Sequence, residues 1–342
     1  MKTAASRSSS SSPTSVVPAW AERAGLWPLR VLWFLLPVLA GPAVDGLVAG
    51  ADRSGRLVVA AGAWLAYLVG MVAALTPSPQ GLTAIRVLSP VVVAIGLAAL
   101  VVGDATAADA LVAAGAGIVV SLVAFSPLVG DRMINGSAYG SERRMALRPP
   151  GGVLLGPVEL VWVLIVLGLT GPIALAASGR PVWAVVALVP GLGMAWFGVR
   201  AVYQLARRWL VFVPAGFVIH DHMLMAEAIL LRRSSLVAVG LATTEDTDPE
   251  TVADATGAAR GLVLEAVARE PFPYAIRQRG QLHDRRATRI RFSPSLPGAV
   301  LAEARIRGVT IGRVPDEGPA DPSGSEPAGH DERADDPSPP TG

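Results

Sequence analysis

Six long apolar runs occupy most of the first two thirds of this 342-residue sequence. They cover residues 31–49, 57–75, 87–103, 110–129, 160–177 and 182–205. A helix that crosses the ~30 Å hydrocarbon core of a bilayer needs about 20 mostly apolar residues. Only 16% of the residues are charged, whereas soluble globular proteins carry about 25%. The sequence therefore predicts an α-helical integral membrane bundle of about six transmembrane helices within residues 27–205.

The third run is the shortest, and it spans a bilayer only if residues 84–86 also belong to the helix. Arg86 would then extend its guanidinium toward the membrane surface. The fourth run carries small residues at helical spacing, including Ala110, Ala114, Gly117 and Ser121. Small side chains allow helices in a membrane to approach closely, so this run is expected to pack against a neighbour.

Arginines are distributed unevenly between the segments that connect the runs. If the N-terminus is inside, the inner segments carry Arg23, Arg30, Arg86, Arg132, Arg143, Arg144, Arg148, Arg200, Arg207 and Arg208. The outer loops carry only Arg53, Arg56 and Arg180. Because positive residues accumulate on the cytoplasmic side, this asymmetry predicts a multi-pass protein of the cell membrane with both termini in the cytoplasm.

The residue types that are missing or rare restrict the chemistry and suggest a source. The chain has no cysteine, which excludes disulfides, thiolate nucleophiles and cysteine-ligated zinc or iron–sulfur sites. Lys2 is the only lysine, and alanine, glycine and proline are frequent, as in proteins of GC-rich bacterial genomes. Residues 1–26 and the acidic tail at 314–342 lack apolar periodicity and are expected to be disordered.

Two carboxylates lie close to the apolar runs. Asp45 is near the outer end of the first run, after the Gly41-Pro42 pair, and Glu159 follows Pro157. A carboxylate inside a membrane would be a candidate ion or proton ligand. We favour a structural role for both: Asp45 at the outer interface, and Glu159 in the first turn of a helix that starts at Pro157, where the helix dipole favours negative charge.

The longest internal segment, residues 130–152, is expected to be a cytoplasmic loop. It holds a compact polar set, Tyr139, Glu142, Arg143 and Arg144. This set is a candidate loop site that could dock on the soluble domain or bind a lipid phosphate. The alternative, an ordinary positively charged inner loop, is the interpretation we favour.

After Ala206 the pattern changes to alternation with a period of two, which is typical of half-buried strands. Seven strands are predicted, at residues 209–214, 216–221, 223–231, 235–241, 262–268, 274–279 and 288–292. An acidic stretch at 243–261 is expected to be a long loop, and residues 297–307 form an amphipathic helix. Residues 206–313 therefore read as a β-rich domain that follows the last transmembrane helix without a linker.

This order of elements resembles the bacterial PH-like domains that are attached directly to membrane spans. The likeness rests on the hairpin over 213–221, which ends in Val-Ile-His-Asp, and on the closing helix over 297–305. It covers about a third of the chain and implies a curved antiparallel sheet with a helix that closes one end. The family carries no catalytic residues, so none is transferred to this sequence.

His220 and His222 are the one cluster of metal-capable residues in this domain. Alternate strand residues share a face, so both imidazoles could approach one ion. They lie at a tight turn around Asp221, however, and no further ligand is placed to complete a tetrahedral set, so we expect no metal. No phosphate-binding loop or nucleophile motif is present either. We therefore expect a protein that is not an enzyme and has no cofactor.

Arginines are concentrated on the last two predicted strands. They are Arg277, Arg279, Arg285, Arg286, Arg289 and Arg291. A period of two can place four of them on one face of a hairpin, with Arg285 and Arg286 at its tip. Clustered cations attract an anionic partner, and lipid headgroups of the inner leaflet are the nearest; a solvated face is the equal alternative. Nucleic acid is not expected, because no aromatic residues alternate with the arginines.

Two classes of function remain open from the sequence. The first is a membrane-anchored binding or scaffold protein whose PH-like domain contacts anionic lipid or a protein partner. The second is a small-solute transporter or membrane-embedded enzyme that uses Asp45, Glu159 and the 130–152 loop. Transporters usually place several polar groups at the midplane, and these runs contain few, so the first class is favoured.

Overall fold

The computed structural model describes residues 24–102, 104–153, 156–242, 251–278 and 281–312. Six of its helices are long and apolar enough to cross a membrane. They are α1 (Trp27–Leu47), α2 (Arg53–Leu75), α3 (Pro79–Val102), α4 (Ala107–Phe125), α6 (Pro157–Ala177) and α7 (Pro181–Ala206), with a short α5 (Pro127–Asn135) between the fourth and the fifth. The six apolar runs are therefore confirmed as helices. The ends predicted to be disordered lie almost wholly outside the described residues.

The third span is longer than its apolar run suggested. α3 starts at Pro79, so residues 84–86 do belong to it. The Arg86 Nε donates a hydrogen bond to the Ala124 carbonyl at 3.2 Å, near the end of α4. The last four carbonyls of a helix have no partner within the helix, and Arg86 satisfies one of them. Arg30 does the same for the Ala74 carbonyl near the end of α2, at 3.1 Å.

Small residues let the helices approach one another closely. Ala110, Ala114 and Gly117 are buried in α4, as its sequence predicted. A Cβ on Gly117 would lie 2.5 Å from the Val93 backbone nitrogen, so α3 and α4 are in backbone contact there. In α6, a Cβ on Gly168 would meet a carbonyl of α7 at 2.4 Å. Such contacts are typical of membrane helices, where close packing supplies much of the association energy.

Eight strands in the described residues form two four-stranded sheets. They are β1 (Arg143–Ala146), β2 (Arg208–Val213), β3 (Gly216–Asp221), β4 (Ile229–Arg232), β5 (Leu236–Leu241), β6 (Val252–Ala255), β7 (Leu264–Gln278) and β8 (Gln281–Phe292). The first sheet has the order β1-β2-β3-β4 and the second the order β5-β7-β8-β6. All pairings are antiparallel except that of β6 with β8.

Both sheets and the last helix enclose one apolar core. Phe212 and Phe217 come from the first sheet, Phe292 from the second, and Val300 from α8 (Pro297–Ile306). The ring centroids of Phe217 and Phe292 are 6.1 Å apart, in the range of favourable aromatic pairs. The domain is therefore a two-layer β structure closed by a C-terminal helix.

This domain differs from the sequence prediction of seven strands in several features. The strand predicted at 223–231 is shortened to β4, Ile229–Arg232, because residues 222–224 form a turn. The first strand comes from the 130–152 segment, which therefore is not simply a loop. β6 lies inside the predicted acidic loop, of which residues 243–250 are outside the described part. The strands predicted at 262–268 and 274–279 form one long strand, β7, because an irregularity between Val267 and Phe272 interrupts the pattern but not the strand.

Candidate functional site at the junction of helices and sheets

The strand β1 joins the helical part of the protein to the β domain. It pairs with β2 in antiparallel register, with Met145 opposite Leu210 and Ala146 opposite Trp209. Met145 packs in the core of the sheets, whereas Ala146 packs in the helical core that includes Met133. Successive strand residues point to opposite faces, so this short strand is buried on one side by sheets and on the other by helices.

The last membrane helix continues into the β domain almost without interruption. α7 ends at Ala206 and β2 begins at Arg208, so only Arg207 separates them. The loop after β1 is fixed to the second sheet as well: the Arg148 backbone N–H donates to the Ser293 carbonyl at 2.8 Å. The β domain is therefore attached to the helices at two separate places in the chain.

A buried ion pair lies at this attachment. The Arg208 guanidinium donates to the same Asp221 oxygen through Nε at 2.9 Å and Nη2 at 2.6 Å. Its remaining donors reach the Ala255 carbonyl at 3.2 Å and the Arg148 carbonyl. The other Asp221 oxygen accepts the backbone N–H groups of Met223 and Leu224. The Arg208 and Asp221 side chains thus each form further hydrogen bonds besides the ion pair, as a buried charge requires.

A second ion pair joins β1 to α5. The Arg143 guanidinium donates to the Asp131 carboxylate at 2.8 Å, and the Asp131 side chain is almost completely buried. Burial raises the pKa of the Asp131 carboxyl above its usual range, and the nearby Arg143 opposes this shift. The pair holds β1 against the helical part of the protein.

Next to these ion pairs, five side chains form what we call the junction cluster: Arg144, Arg207, Trp209, His220 and His222. Trp209 and His220 stack across the β2–β3 ladder, with ring centroids 5.0 Å apart and planes 14° from parallel. The His220 and His222 rings are 4.1 Å apart. The Arg207 Nη2 lies 2.9 Å from the His222 Nε2, and the Arg144 guanidinium lies over the Trp209 ring at 5.9 Å.

The junction cluster is electropositive. Burial, followed by the nearby His222, Arg207 and Arg144, lowers the pKa of His220 to about 4 against the opposing charge of Asp221. His220 is therefore neutral at pH 7. The Arg144 Nε is buried without a hydrogen-bond partner among the described residues. Every cluster member except the exposed His222 is partly buried, and an anion at the surface would meet two guanidinium groups.

The polar set predicted in the 130–152 segment does not form one site. Arg143 and Arg144 are neighbours in a strand and point to opposite faces. Arg143 binds Asp131, while Arg144 binds Glu142 at 3.1 Å and joins the junction cluster. Tyr139 is 86% exposed. Of the four predicted residues, Glu142 and Arg144 are thus paired, and the Tyr139 backbone N–H donates to the same Glu142 oxygen at 3.5 Å. Arg143 is not part of this contact.

The predicted arginine hairpin is arranged differently from expectation. Arg289 and Arg291 both bind Glu265, at 3.2 Å and 2.7 Å, and the Glu265 side chain is only 2% exposed. Arg285 and Arg286 are exposed within β8, opposite Tyr274 and Pro273, and not at the tip. β7 ends at Gln278 and β8 begins at Gln281, so both arginines lie within the strand.

The other two arginines of the predicted hairpin face are Arg277 and Arg279. Arg277 is opposite Leu282 in the β7–β8 register, and Arg279 lies outside the described residues. Arg289 and Arg291 thus share one buried carboxylate, and Arg285 and Arg286 are exposed farther along β8. The expectation of four arginines on one face stays a prediction. The strand was predicted to begin at 288, which is why Arg285 and Arg286 were assigned to a turn.

The two membrane carboxylates are far apart. The Gly156 N–H donates to the Glu159 carboxylate at 2.8 Å, so Glu159 caps the first turn of α6, as expected. Asp45 is exposed near the C-terminal end of α1, which is the end away from the β domain. Within the described part of the chain, no group of three or more His, Cys, Asp or Glu side chains is arranged to hold a metal.

Comparisons with protein-family models, with curated proteins and with solved structures gave no match. The functional interpretation therefore rests on the geometry of the junction. The sequence places its members in separate features: Arg144 in the candidate loop site, Arg207 among the inner-segment arginines, Trp209 at the start of a predicted strand, and the histidines at a tight turn. The β2–β3 register, with Trp209 opposite His220, brings Trp209 and the histidines together, and the pairing of β1 with β2 adds Arg144.

Proposed function

We propose that this protein is a multi-pass protein of the cell membrane whose β domain binds anionic phospholipid headgroups at the inner leaflet. Its role is that of a membrane-anchored binding or scaffold protein without catalytic activity. One observation carries the proposal: the junction cluster places two arginines and two histidines around Trp209, three residues beyond the end of the last apolar helix.

The position of the cluster supports a lipid headgroup as its ligand. The Arg207 guanidinium lies over the Tyr203 ring at 5.7 Å, and the Tyr203 hydroxyl is 3.2 Å from the Gln80 Nε2 at the start of α3. Tyrosine and tryptophan are enriched at the level of the headgroups. The cluster therefore lies at the depth where phosphates are concentrated, and each arginine near an anionic surface contributes about 1 kcal/mol.

The inner leaflet is proposed from the arginine distribution. With six spans, the start of α1 and the end of α7 lie on the same side as the β domain. Most arginines of the connecting segments are on that side too, which favours the cytoplasm for both termini and for the β domain. Anionic lipids give the cytoplasmic leaflet its negative surface potential.

We also propose that the β domain is PH-like. Two sheets around one core and a C-terminal helix with buried Val300 and Ala304 favour that assignment. Two features depart from the expected curved antiparallel sheet: β1 comes from a distant segment, and β6 is parallel to β8. The departures affect the edges of the sheets and leave the central β2–β3 and β7–β8 hairpins in place.

The exposed arginines of β8 are a weaker candidate for lipid contact. The β8 end at Phe292 is the end near β1, because the Ser295 N–H donates to the Ala146 carbonyl at 2.8 Å. At about 3.3 Å per residue, Arg285 and Arg286 lie about 20 Å back along the strand. Arg289 and Arg291 bind the buried Glu265, whereas the Glu142 carboxylate that pairs with Arg144 is partly exposed. The junction cluster is therefore assigned as the headgroup site.

Placement of the membrane carboxylates disfavours a transporter or a membrane-embedded enzyme. Asp45 is 18 residues beyond the start of α1, or about 27 Å along the helix at 1.5 Å per residue. Glu159 is in the first turn of α6, on the side of the β domain. The two side chains therefore do not combine with the 130–152 segment into one site.

Lipid retention by the full-length protein tests this proposal. The protein is reconstituted in nanodiscs that contain phosphatidylglycerol and phosphatidylcholine in equal amounts, then released and examined by native mass spectrometry at increasing salt. We expect preferential retention of phosphatidylglycerol that weakens as salt rises. Equal retention of the two lipids at every salt concentration would overturn the proposal.

A further inference from the structure

An elongated cavity of about 200 Å³ lies between α1, α2 and α3, away from the junction cluster. Its walls are almost entirely apolar and include Leu36, Ala63, Leu88 and Val92. Along α1 it extends from Trp33 to Asp45, a distance of about 18 Å at 1.5 Å per residue. It therefore runs through much of the depth of the apolar layer on the side away from the β domain.

The end of the cavity nearer the β domain is closed by Trp33. Its indole is buried, and the Trp33 Nε1 donates to the Tyr67 carbonyl at 3.0 Å. The ring occupies the space beside Gly70, where a Cβ would lie 1.8 Å from it. Trp33 thus has a fixed position and no free polar atom, which makes this end a purely apolar floor.

The opposite end carries a single charge. Asp45 lines the cavity and is exposed, and no hydrogen bond or ion pair joins its carboxylate to any other described residue. Dry apolar cavities of about 150 Å³ bind apolar molecules readily. A carboxylate at the mouth adds a preference for a cation.

We propose that this cavity binds the hydrocarbon tail of an amphiphile whose ammonium headgroup pairs with Asp45. The tail enters from the leaflet opposite the β domain and extends along α1 toward Trp33. A water-soluble solute does not fit this arrangement, because the walls offer it no hydrogen bonds over most of the length. This site is independent of the headgroup site proposed at the junction.

Photo-crosslinking of the reconstituted full-length protein tests this inference. The probes are a 12-carbon alkylamine and the matching alcohol, each with a diazirine near the end of its chain. We expect the amine to label α1 and α2 peptides near Trp33 and Tyr67 at least fivefold more than the alcohol does. Equal labelling by the two probes, or labelling confined to the lipid-facing surface, would contradict the proposal.

Two substitutions test the apolar wall of the cavity and the charge of Asp45 separately. Ala63→Phe fills the cavity and should reduce labelling by both probes about tenfold. Asp45→Asn should lower labelling by the amine to the level of the alcohol. The matched control is Leu65→Phe, because Leu65 is on the same helix, does not line the cavity and is 65% exposed; it should change neither.

A second, smaller substitution tests the tail site if Ala63→Phe folds poorly. Ala60→Leu adds a smaller side chain to the same wall of the cavity and should also reduce labelling by both probes. Unchanged labelling in whichever filled variant keeps the thermal stability of the wild type would overturn the tail site. Unchanged amine preference in Asp45→Asn would overturn the role of Asp45.

Discussion

Arg208 and Asp221 form an ion pair that solvent does not reach, although they are 13 residues apart and belong to different strands. They are direct partners in the β2–β3 register. Through its other donors Arg208 also binds the carbonyls of Ala255 and Arg148. One guanidinium therefore connects both sheets and the segment that follows β1, at the point where the β domain leaves the membrane helices.

Removal of the Asp221 charge should destabilise the β domain strongly. Asp221→Asn leaves the Arg208 guanidinium buried without a counter-charge, which typically costs about 3–5 kcal/mol. The measurement is thermal unfolding of the purified protein in detergent. The control is Glu303→Gln, which breaks the Arg307–Glu303 pair on the surface of α8 and should cost no more than about 1 kcal/mol. Similar losses in the two variants would show that the buried pair has no special role.

A charge on the helix-facing side of β1 should detach this strand. Ala146→Glu would place a carboxylate in the apolar contact with Met133 and Ala206, where an unpaired charge is strongly unfavourable. We expect faster amide hydrogen exchange in β1 and in its partner β2. Tyr139→Ala, at a site that is 86% exposed, should leave exchange unchanged. Unaltered exchange in Ala146→Glu would mean that β1 is not held by the helices.

His220 should make the stability of the protein depend on pH. Burial lowers the pKa of His220 to about 4, below its ordinary value of about 6.5. Between these values the unfolded chain binds more protons than the folded one, so stability is complete above pH 6.5 and falls as the pH is lowered toward 4. His220→Gln should flatten this part of the curve. Parallel curves for the two proteins would contradict the assigned shift.

Anionic lipid should also change the titration of His220. A phosphate beside Arg144 and Arg207 offsets the cations that help to lower the His220 pKa. We expect a higher pKa in phosphatidylglycerol nanodiscs than in phosphatidylcholine nanodiscs, followed by the imidazole proton resonances. His283, which is exposed on the distal part of β8, provides the comparison within the same protein. An equal shift at both histidines would indicate a general surface potential and not a site.

The helical part of this fold is predictable because each span is a long apolar run. The strands β2, β3 and β5 are predictable because apolar and polar residues alternate along them. β1 is not, since Arg-Arg-Met-Ala has neither a β-rich composition nor sufficient length. It is a strand only because it pairs with β2 and packs between the core of the sheets and the core of the helices. β6 is not predictable either, because it lies within an acidic stretch that is typical of a loop.

The candidate site was harder to derive than the fold, because its residues belong to different segments. Strand periodicity alone could align Arg208 with Asp221 once the turn at 214–215 was assigned. It could not place Arg144 over Trp209, since that contact depends on the addition of β1 to the sheet. The contact of the buried Glu265 with Arg289 and Arg291 could not be derived either, because it depends on the register of β7 against β8. Both arginines were therefore expected to attract an external anion.

The central claim is that the junction cluster binds anionic headgroups. Its most direct test is the affinity of phosphatidylglycerol for the full-length protein, measured by native mass spectrometry, in Arg144→Gln/Arg207→Gln and in the charge-matched control Arg285→Gln/Arg286→Gln. At about 1 kcal/mol for each arginine, we expect the junction variant to bind about 30-fold more weakly and the control to bind like the wild type. A loss in the control that equals or exceeds the loss in the junction variant would contradict the account.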